Sequence, residues 1–132
     1  MILVDTNVIC EPTRREPSRR VLSFLMRHPV VGLSAVSVLE LEAGVRGAPA
    51  MRRQRLASWL DALLDSGAVD VIPIDTAVAR VAGRLRAELR KRSVATEDLL
   101  IGATALARGM TLATRNVAHF ARVGLSIVNP FD

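Results

Sequence analysis

The stretch Met1-Ile2-Leu3-Val4-Asp5-Thr6-Asn7 decides how this chain is read: a run of bulky apolar residues stops at a carboxylate followed by two small polar side chains. Ile2, Leu3 and Val4 favour strand and show no polar alternation, the habit of a strand buried on both faces of a parallel sheet. Asp5 then stands at that strand's carboxyl end, outside which ligands bind in open α/β sheets. Two readings of this acid stay open on these residues alone: a site carboxylate, or a cap in which Asp5 or Asn7 starts the next helix.

Outward from Asn7 the chain alternates. Pro12 and Pro17 confine any helix before Ser18 to short pieces. Ser18 starts a clearer helix, with Val21, Leu22, Leu25 and Met26 at helical spacing, ended by His28-Pro29. Val30 to Ser34 reads as a second strand, and Ala35 to about Gly44 as a helix with Ser37 as its cap. Ser37 and Glu40 form a Ser-x-x-Glu capping box, which on local sequence favours a structural role for Glu40, and Glu42 points to another face. Met51 to Ser66 is expected to be helical, with Leu56, Trp59, Leu60, Leu63 and Leu64 inward. Its start, Arg52-Arg53-Gln54-Arg55, opposes the helix dipole and suggests solvation or a partner.

Val69 to Ile74, interrupted by Asp70 and Pro73, predicts a third strand near a sheet edge. Asp75 or Thr76 caps a long helix whose inner stripe is Val78, Val81, Ala82, Leu85 and Leu89, and whose outer arginines read as a solvated face. Thr96-Glu97-Asp98 opens a helix to Ala107 that is apolar almost all round and therefore buried. Acids in its first turn complement the dipole, and they also point at whatever the helix end faces. Gly109 closes it, Met110 to Ala113 makes a strand, and Thr114-Arg115-Asn116 follows that strand as Asp5-Thr6-Asn7 follows the first. Ser126-Ile127-Val128 is a last short strand. Strands alternating with helices imply a parallel sheet covered on both faces, with Asp5, Glu40, Asp98 and Asn116 as candidate site residues.

A chain of 132 residues suits one domain, 1–132, with one core and no need of disulfides. Half of its residues are apolar and the mean hydropathy is +0.29, high for a small soluble monomer, so homodimerisation is expected. The apolar runs fall far short of the ~20 residues that span a bilayer, and the N-terminus lacks the features of a secretory signal. Cys10 is the single cysteine, compatible with a reducing cytoplasm, where the protein is expected to reside. The formal charge is +5, and of the 18 basic residues all but Lys91 are arginine. That balance permits a polyanionic partner, although arginine bias also follows from genomic base composition. Phe24, Trp59, Phe120 and Phe131 are too few and scattered for a base-stacking platform, so phosphate contact is the expected mode of any nucleic-acid binding.

Taken together, Leu-Val-Asp-Thr-Asn at 3–7, Ser-Val-Leu-Glu-Leu at 37–41, Glu-Asp-Leu-Leu-Ile-Gly-Ala at 97–103 and Thr-Leu-Ala-Thr-Arg-Asn at 111–116 resemble a PIN domain. Order, spacing and length are similar to the VapC-type toxins of bacterial toxin–antitoxin pairs, and Asn129-Pro130-Phe131 resembles the close of the FitB-like branch. The resemblance covers essentially the whole chain; each motif alone is weak, but the four in order are specific. It implies a three-layer α/β/α sandwich on a mainly parallel sheet of about five short strands. It further implies a metal-dependent ribonuclease that cuts RNA, with Asp5, Glu40 and Asp98 as the metal-binding acids and a small VapB-like antitoxin whose chain blocks the acidic cleft. On this resemblance Glu40 becomes a site residue despite its capping pattern. Asn116 falls where many relatives carry a fourth acid; here it is neutral, with His119 close by.

The implied chemistry agrees with elementary electrostatics. Two carboxylates about 5 Å apart repel by roughly 3 kcal/mol at an effective dielectric near 20, so several in one cleft need a cation or protons. Oxygen donors select a hard ion, Mg²⁺ or Mn²⁺, which activates water for in-line attack on a phosphodiester, with a 5′-phosphate and a 3′-hydroxyl as expected products. Thr6 and Thr114 are candidates for orienting water or phosphate oxygens. Two other classes compete: an aspartyl-nucleophile phosphohydrolase, disfavoured because Asn7 stands where its second acid belongs, and a non-catalytic PIN-fold module that binds nucleic acid.

Overall fold

The chain is described by a computed structural model that covers residues 1–120 and 123–132. Five parallel strands form its sheet: β1 (Ile2–Val4), β2 (Val31–Ser34), β3 (Val69–Ile72), β4 (Thr111–Ala113) and β5 (Ile127–Val128). Their spatial order is β3-β2-β1-β4-β5. After β1 the chain builds outward to one edge through β2 and β3, then returns to the other side of β1 with β4 and β5. The topological switch point therefore lies between β1 and β4, where Val4 is in register with Ala113. Loops leaving the carboxyl ends of those two strands diverge to opposite faces and open a crevice.

Around the sheet pack α1 (Thr6–Ile9), α2 (Arg19–Arg27), α3 (Ala35–Arg46), α4 (Ala50–Asp65), α5 (Thr76–Glu88) and α6 (Thr96–Ala107). The two-residue period of a strand sends neighbouring side chains to opposite faces, and this divides the core. Val4, Leu33 and Ala113 pack with Val8, Val21, Phe24, Leu41 and Leu60 from α1 to α4. On the other face Leu3, Ile72 and Leu112 meet Ile101, Ala105 and Phe120, and α5 packs Val78, Val81 and Leu85 against Leu99 and Ala103 of α6. The result is the expected three-layer sandwich. Each fully buried aliphatic side chain contributes about 1.5–3 kcal/mol, so the short central strands are held by their two packed faces more than by their length.

Several local expectations meet specific outcomes. β3 is an edge strand and stops at Ile72, just before Pro73, whose missing N–H and fixed φ end the pairing. Asp75 caps α5 by accepting from the Val78 N–H at 3.0 Å. Ser18 caps α2, accepting from the Val21 N–H. The capping box at 37–40 is not formed. β2 hands directly to α3, so Ser34 is the N-cap and its hydroxyl accepts from the Val36 N–H at 3.2 Å. Ser37 lies inside the first turn, fully buried, and Glu40 is a helix-interior residue whose carboxylate is free for tertiary contacts. At α6 the close approach of Phe120 excludes a side chain at Gly102: a Cβ there would stand 2.5 Å from Phe120 Cε1.

Candidate active site

Asp5 leaves β1 at its carboxyl end and at the same time caps α1, so the two readings of this residue coexist. It is only 4% exposed. Its Oδ1 accepts from the Thr6 N–H at 2.7 Å, and its Oδ2 accepts from the Thr114 hydroxyl at 2.6 Å and, at the long distance of 3.5 Å, from the Asn7 amide. Thr114 is fully buried and follows β4, so this bond spans the switch point. Burial pushes the Asp5 carboxyl above its ordinary range, and the nearby charge of Asp98 adds to that; hydrogen bonds from Thr114 and Thr6 and the proximity of His119 act the other way.

Glu40 comes from α3, half-buried, and its Oε1 accepts from the Thr6 hydroxyl at 2.7 Å. The Thr6 oxygen is also 2.8 Å from Ser37 Oγ. A hydroxyl has one hydrogen to give, so Thr6 donates to the carboxylate and accepts from Ser37. Burial raises the Glu40 carboxyl first, and the charges of Asp5, Asp98 and Glu97 raise it further. Those charge effects tie the acids of three separate elements into one electrostatic unit. Asp98, in the first turn of α6, keeps 23% of its side chain exposed, and its Oδ2 lies 3.5 Å from His119 Nδ1. That contact is not a hydrogen bond, and His119 Nδ1 has no hydrogen-bond partner among the described residues.

Asn116 is half-buried and is placed through its backbone, whose N–H donates to Thr114 Oγ1 at 3.0 Å. Among the described residues its side chain bonds to none of the acids. It is His119, one turn further on, that reaches Asp98. Thr6 and Thr114, expected to orient water or phosphate oxygens, bond to the acids in this structure. Both hydroxyls are engaged by carboxylates, and Thr114 has no exposed surface, so each positions an acid. Sequence reasoning missed Ser37 as the support of Thr6, and it missed Glu97 as a contributor to the local charge. Glu97 was recoverable, since it precedes Asp98 in the same helical turn.

The donor set fits a hard divalent cation in kind: carboxylate oxygens with raised proton affinity, and beside them Asn7 Oδ1, a buried acceptor without a partner among the described residues. It is not closed into a cage, for no group of three or more His, Cys, Asp or Glu side chains among the described residues is arranged to hold a metal ion. The acids are gathered closely enough to disturb one another's ionisation.

An α/β/α sandwich with acids drawn from three elements to the switch point of its sheet defines the class of protein. The PIN domain family profile matches residues 2–125, and the chain belongs to the PIN domain family. It is similar along its whole length to the plasmid stability protein StbB of Pseudomonas syringae pv. tomato, at 39% identity over 100% of this chain and 99% of the relative. Similarity to the VapC ribonuclease Y4jK of Sinorhizobium fredii is 35% with the same coverage, and to the toxin FitB of Neisseria gonorrhoeae 34% over 99% of each chain. Among solved structures, FitAcB from Neisseria gonorrhoeae superposes with a TM-score of 0.88 at 33% identity, over 99% of each chain.

Proposed function

We propose that this chain is a single PIN domain acting as a metal-dependent endoribonuclease, the toxin of a VapBC-type pair. The observation that carries the reading is the coupling of Asp5, Glu40 and Asp98: burial and mutual repulsion raise the first two carboxyls above their ordinary range, a state that a bound cation would relieve. Asp5, Glu40 and Asp98 are the residues to hold Mg²⁺ or Mn²⁺, with Asn116 or His119 at the fourth position. When bound, the ion supplies activation of a water nucleophile and neutralises charge on the phosphodiester. The chain's own residues do the positioning. Thr114 fixes one oxygen of Asp5, the Thr6 N–H fixes the other, and the Thr6 hydroxyl holds Glu40 toward them. Asp98 stays partly exposed beside His119, which leaves its carboxylate accessible to an ion and to substrate.

A ribonuclease toxin needs restraint in its own cell, and the similarity to a VapC ribonuclease and to a protein named as a toxin supports a small VapB-like antitoxin as partner. Exposed apolar side chains suit such contacts and a homodimer: Leu39, adjacent to Glu40, is 61% exposed, and Met26 and Met51 more so. No helix among the described residues is long and apolar enough to cross a membrane.

The test is cleavage of total RNA by purified protein with Mg²⁺ or Mn²⁺, followed by mapping of the ends. Wild type yields 5′-phosphate ends, chelator stops the reaction, and Asp5→Asn and Asp98→Asn are inactive. Cleavage that survives chelator or Asp5→Asn overturns the reading, and binding without cleavage returns the chain to a non-catalytic module. Light scattering should report a dimer, and expression without antitoxin should arrest growth.

A further inference from the structure

A groove of about 940 Å³ contains none of these acids and lies between the chain that leaves α1, at 12–15, and one face of α4. From α4 come Arg52, Arg55, Leu56 and Trp59, whose spacing of three and four residues sets them on a single side of the helix; Arg14 and Arg15 face them. Among the described residues no acidic side chain lines the groove. Arg14 has a loose partner in Glu11 at 3.7 Å, whereas Arg15, Arg52 and Arg55 form no ion pair among the described residues. Unpaired guanidinium groups gathered beside the positive end of a helix repel one another, and a multiply charged anion relieves that. The arginine fork matches phosphate oxygens well.

We infer that this groove is an RNA-binding track that holds the backbone of single-stranded substrate while Trp59 stacks on a base, apart from the acids that cut. The inference rests on the ribonuclease reading above and adds where the substrate lies. Two features favour RNA over an acidic polypeptide. The half-buried indole and Leu56 provide an apolar flank directly beside the charges, the pairing of cationic groove and aromatic face that single strands use. The opposite wall belongs to the chain that continues from Asp5 through α1 and the Glu11–Thr13 turn, so one wall of the groove and the Asp5 carboxylate sit on the same continuous segment. The arginines of α5 provide a contrast. Arg80 and Arg84 share their groove with Glu88, a local counter-charge that the α4 groove lacks.

The experiment is fluorescence anisotropy with a labelled oligouridylate of about fifteen nucleotides, in chelator so that nothing is cut. Arg52→Ala/Arg55→Ala should weaken binding and reduce the slope of log K against log salt by about 1.4, which is about 0.7 for each lost phosphate contact. Trp59→Leu should cost about tenfold with the slope retained, and Trp59→Phe should keep most of the affinity. Arg80→Ala/Arg84→Ala, an equal loss of charge, should leave binding as in wild type. Equal weakening by the α5 pair would reduce the effect to net charge and overturn the inference, as would unchanged binding by the exposed Arg52→Ala/Arg55→Ala protein, which does not depend on the packing of Trp59. If those α4 variants bind RNA normally but no longer co-purify with the antitoxin, the groove seats the partner and the inference fails. Metal-dependent cleavage is scored separately: wild type that cleaves, with α4 variants that bind and cleave like it, sinks the groove alone. Groove-dependent binding without any cleavage sinks the ribonuclease reading alone, and wild type that neither binds nor cleaves sinks both.

Discussion

β1 and β4 lie side by side, run parallel, and end in nearly the same way, one in Asp5-Thr6-Asn7 and the other in Thr114-Arg115-Asn116. The first places a carboxylate at the crevice; the second places a hydroxyl in the equivalent position and aims it at that carboxylate across 2.6 Å. Asn7 leans toward Asp5 with a buried oxygen still unpartnered, while Asn116 is tied down through its own backbone to Thr114. Two strand ends of similar composition thus take unequal parts: β1 supplies the charge, and β4 supplies the donor that fixes it. A second acid after β4, facing Asp5, would have added repulsion where this chain has a hydrogen bond.

The harshest way to break the asymmetry is Asp5→Asn. Cleavage should fall below detection, yet the melting temperature in chelator should equal or exceed that of wild type, because Asn caps α1 as well as Asp and no buried charge remains. Unfolding of the variant in chelator would show that the acid holds the fold. Next comes Thr114→Val, which keeps the shape and removes the donor. Positioning partners of metal-binding groups typically matter by about 10–100-fold, so Mn²⁺ titration of activity should show a loss in that range, with Thr114→Ser restoring most of it. A silent Thr114→Val would mean that the bond to Asp5 is incidental.

Asn116 sharpens the comparison from the other side. Asn116→Ala should reduce cleavage only several-fold, on the order of 1 kcal/mol, since a neutral amide adds no charge to the site. Asn116→Asp should tighten Mn²⁺ binding by making the β4 end resemble the β1 end. If Asn116→Ala is as inactive as Asp5→Ala, Asn116 is a primary ligand; if His119→Ala alone is inactive, the fourth position belongs to the histidine that faces Asp98.

The smallest expected effect is on stability against pH. The Asp5 and Glu40 carboxyls titrate higher in the folded chain than in the unfolded one, so the native state binds more protons over that interval. Metal-free protein should therefore lose stability as pH rises through the raised values, above the ordinary carboxylate range, and regain it on added Mn²⁺. Asp5→Asn should flatten the difference, and an equal slope in wild type and variant would refute the assignment to this site.

Most of the elements could be read along the chain because their signals are local. Ser18 and Asp75 cap the helices expected of them, Pro73 ends an edge strand, and the apolar run of Leu99 to Ala107 is a buried helix. The capping pattern of Ser37 and Glu40 misled for the same reason. A local pattern cannot register that β2 runs into α3 without a loop, which gives the cap to Ser34 and turns Glu40 to Thr6. Thr6 and Thr114 stand out in the sequence as candidates at strand ends, but what their hydroxyls touch depends on partners far away in sequence.

By itself the sequence determined the alternation of strands and helices, the burial of β1, and the presence of carboxylates at element ends, since side-chain periodicity and capping act within a few residues. The tertiary structure alone decided that β4 lies beside β1, that Thr114 thereby reaches Asp5 from 109 positions away, and that Arg14 and Arg15 face the arginines of α4. Strand order is set by how both faces of the sheet are packed, a condition on the whole core that no short stretch expresses.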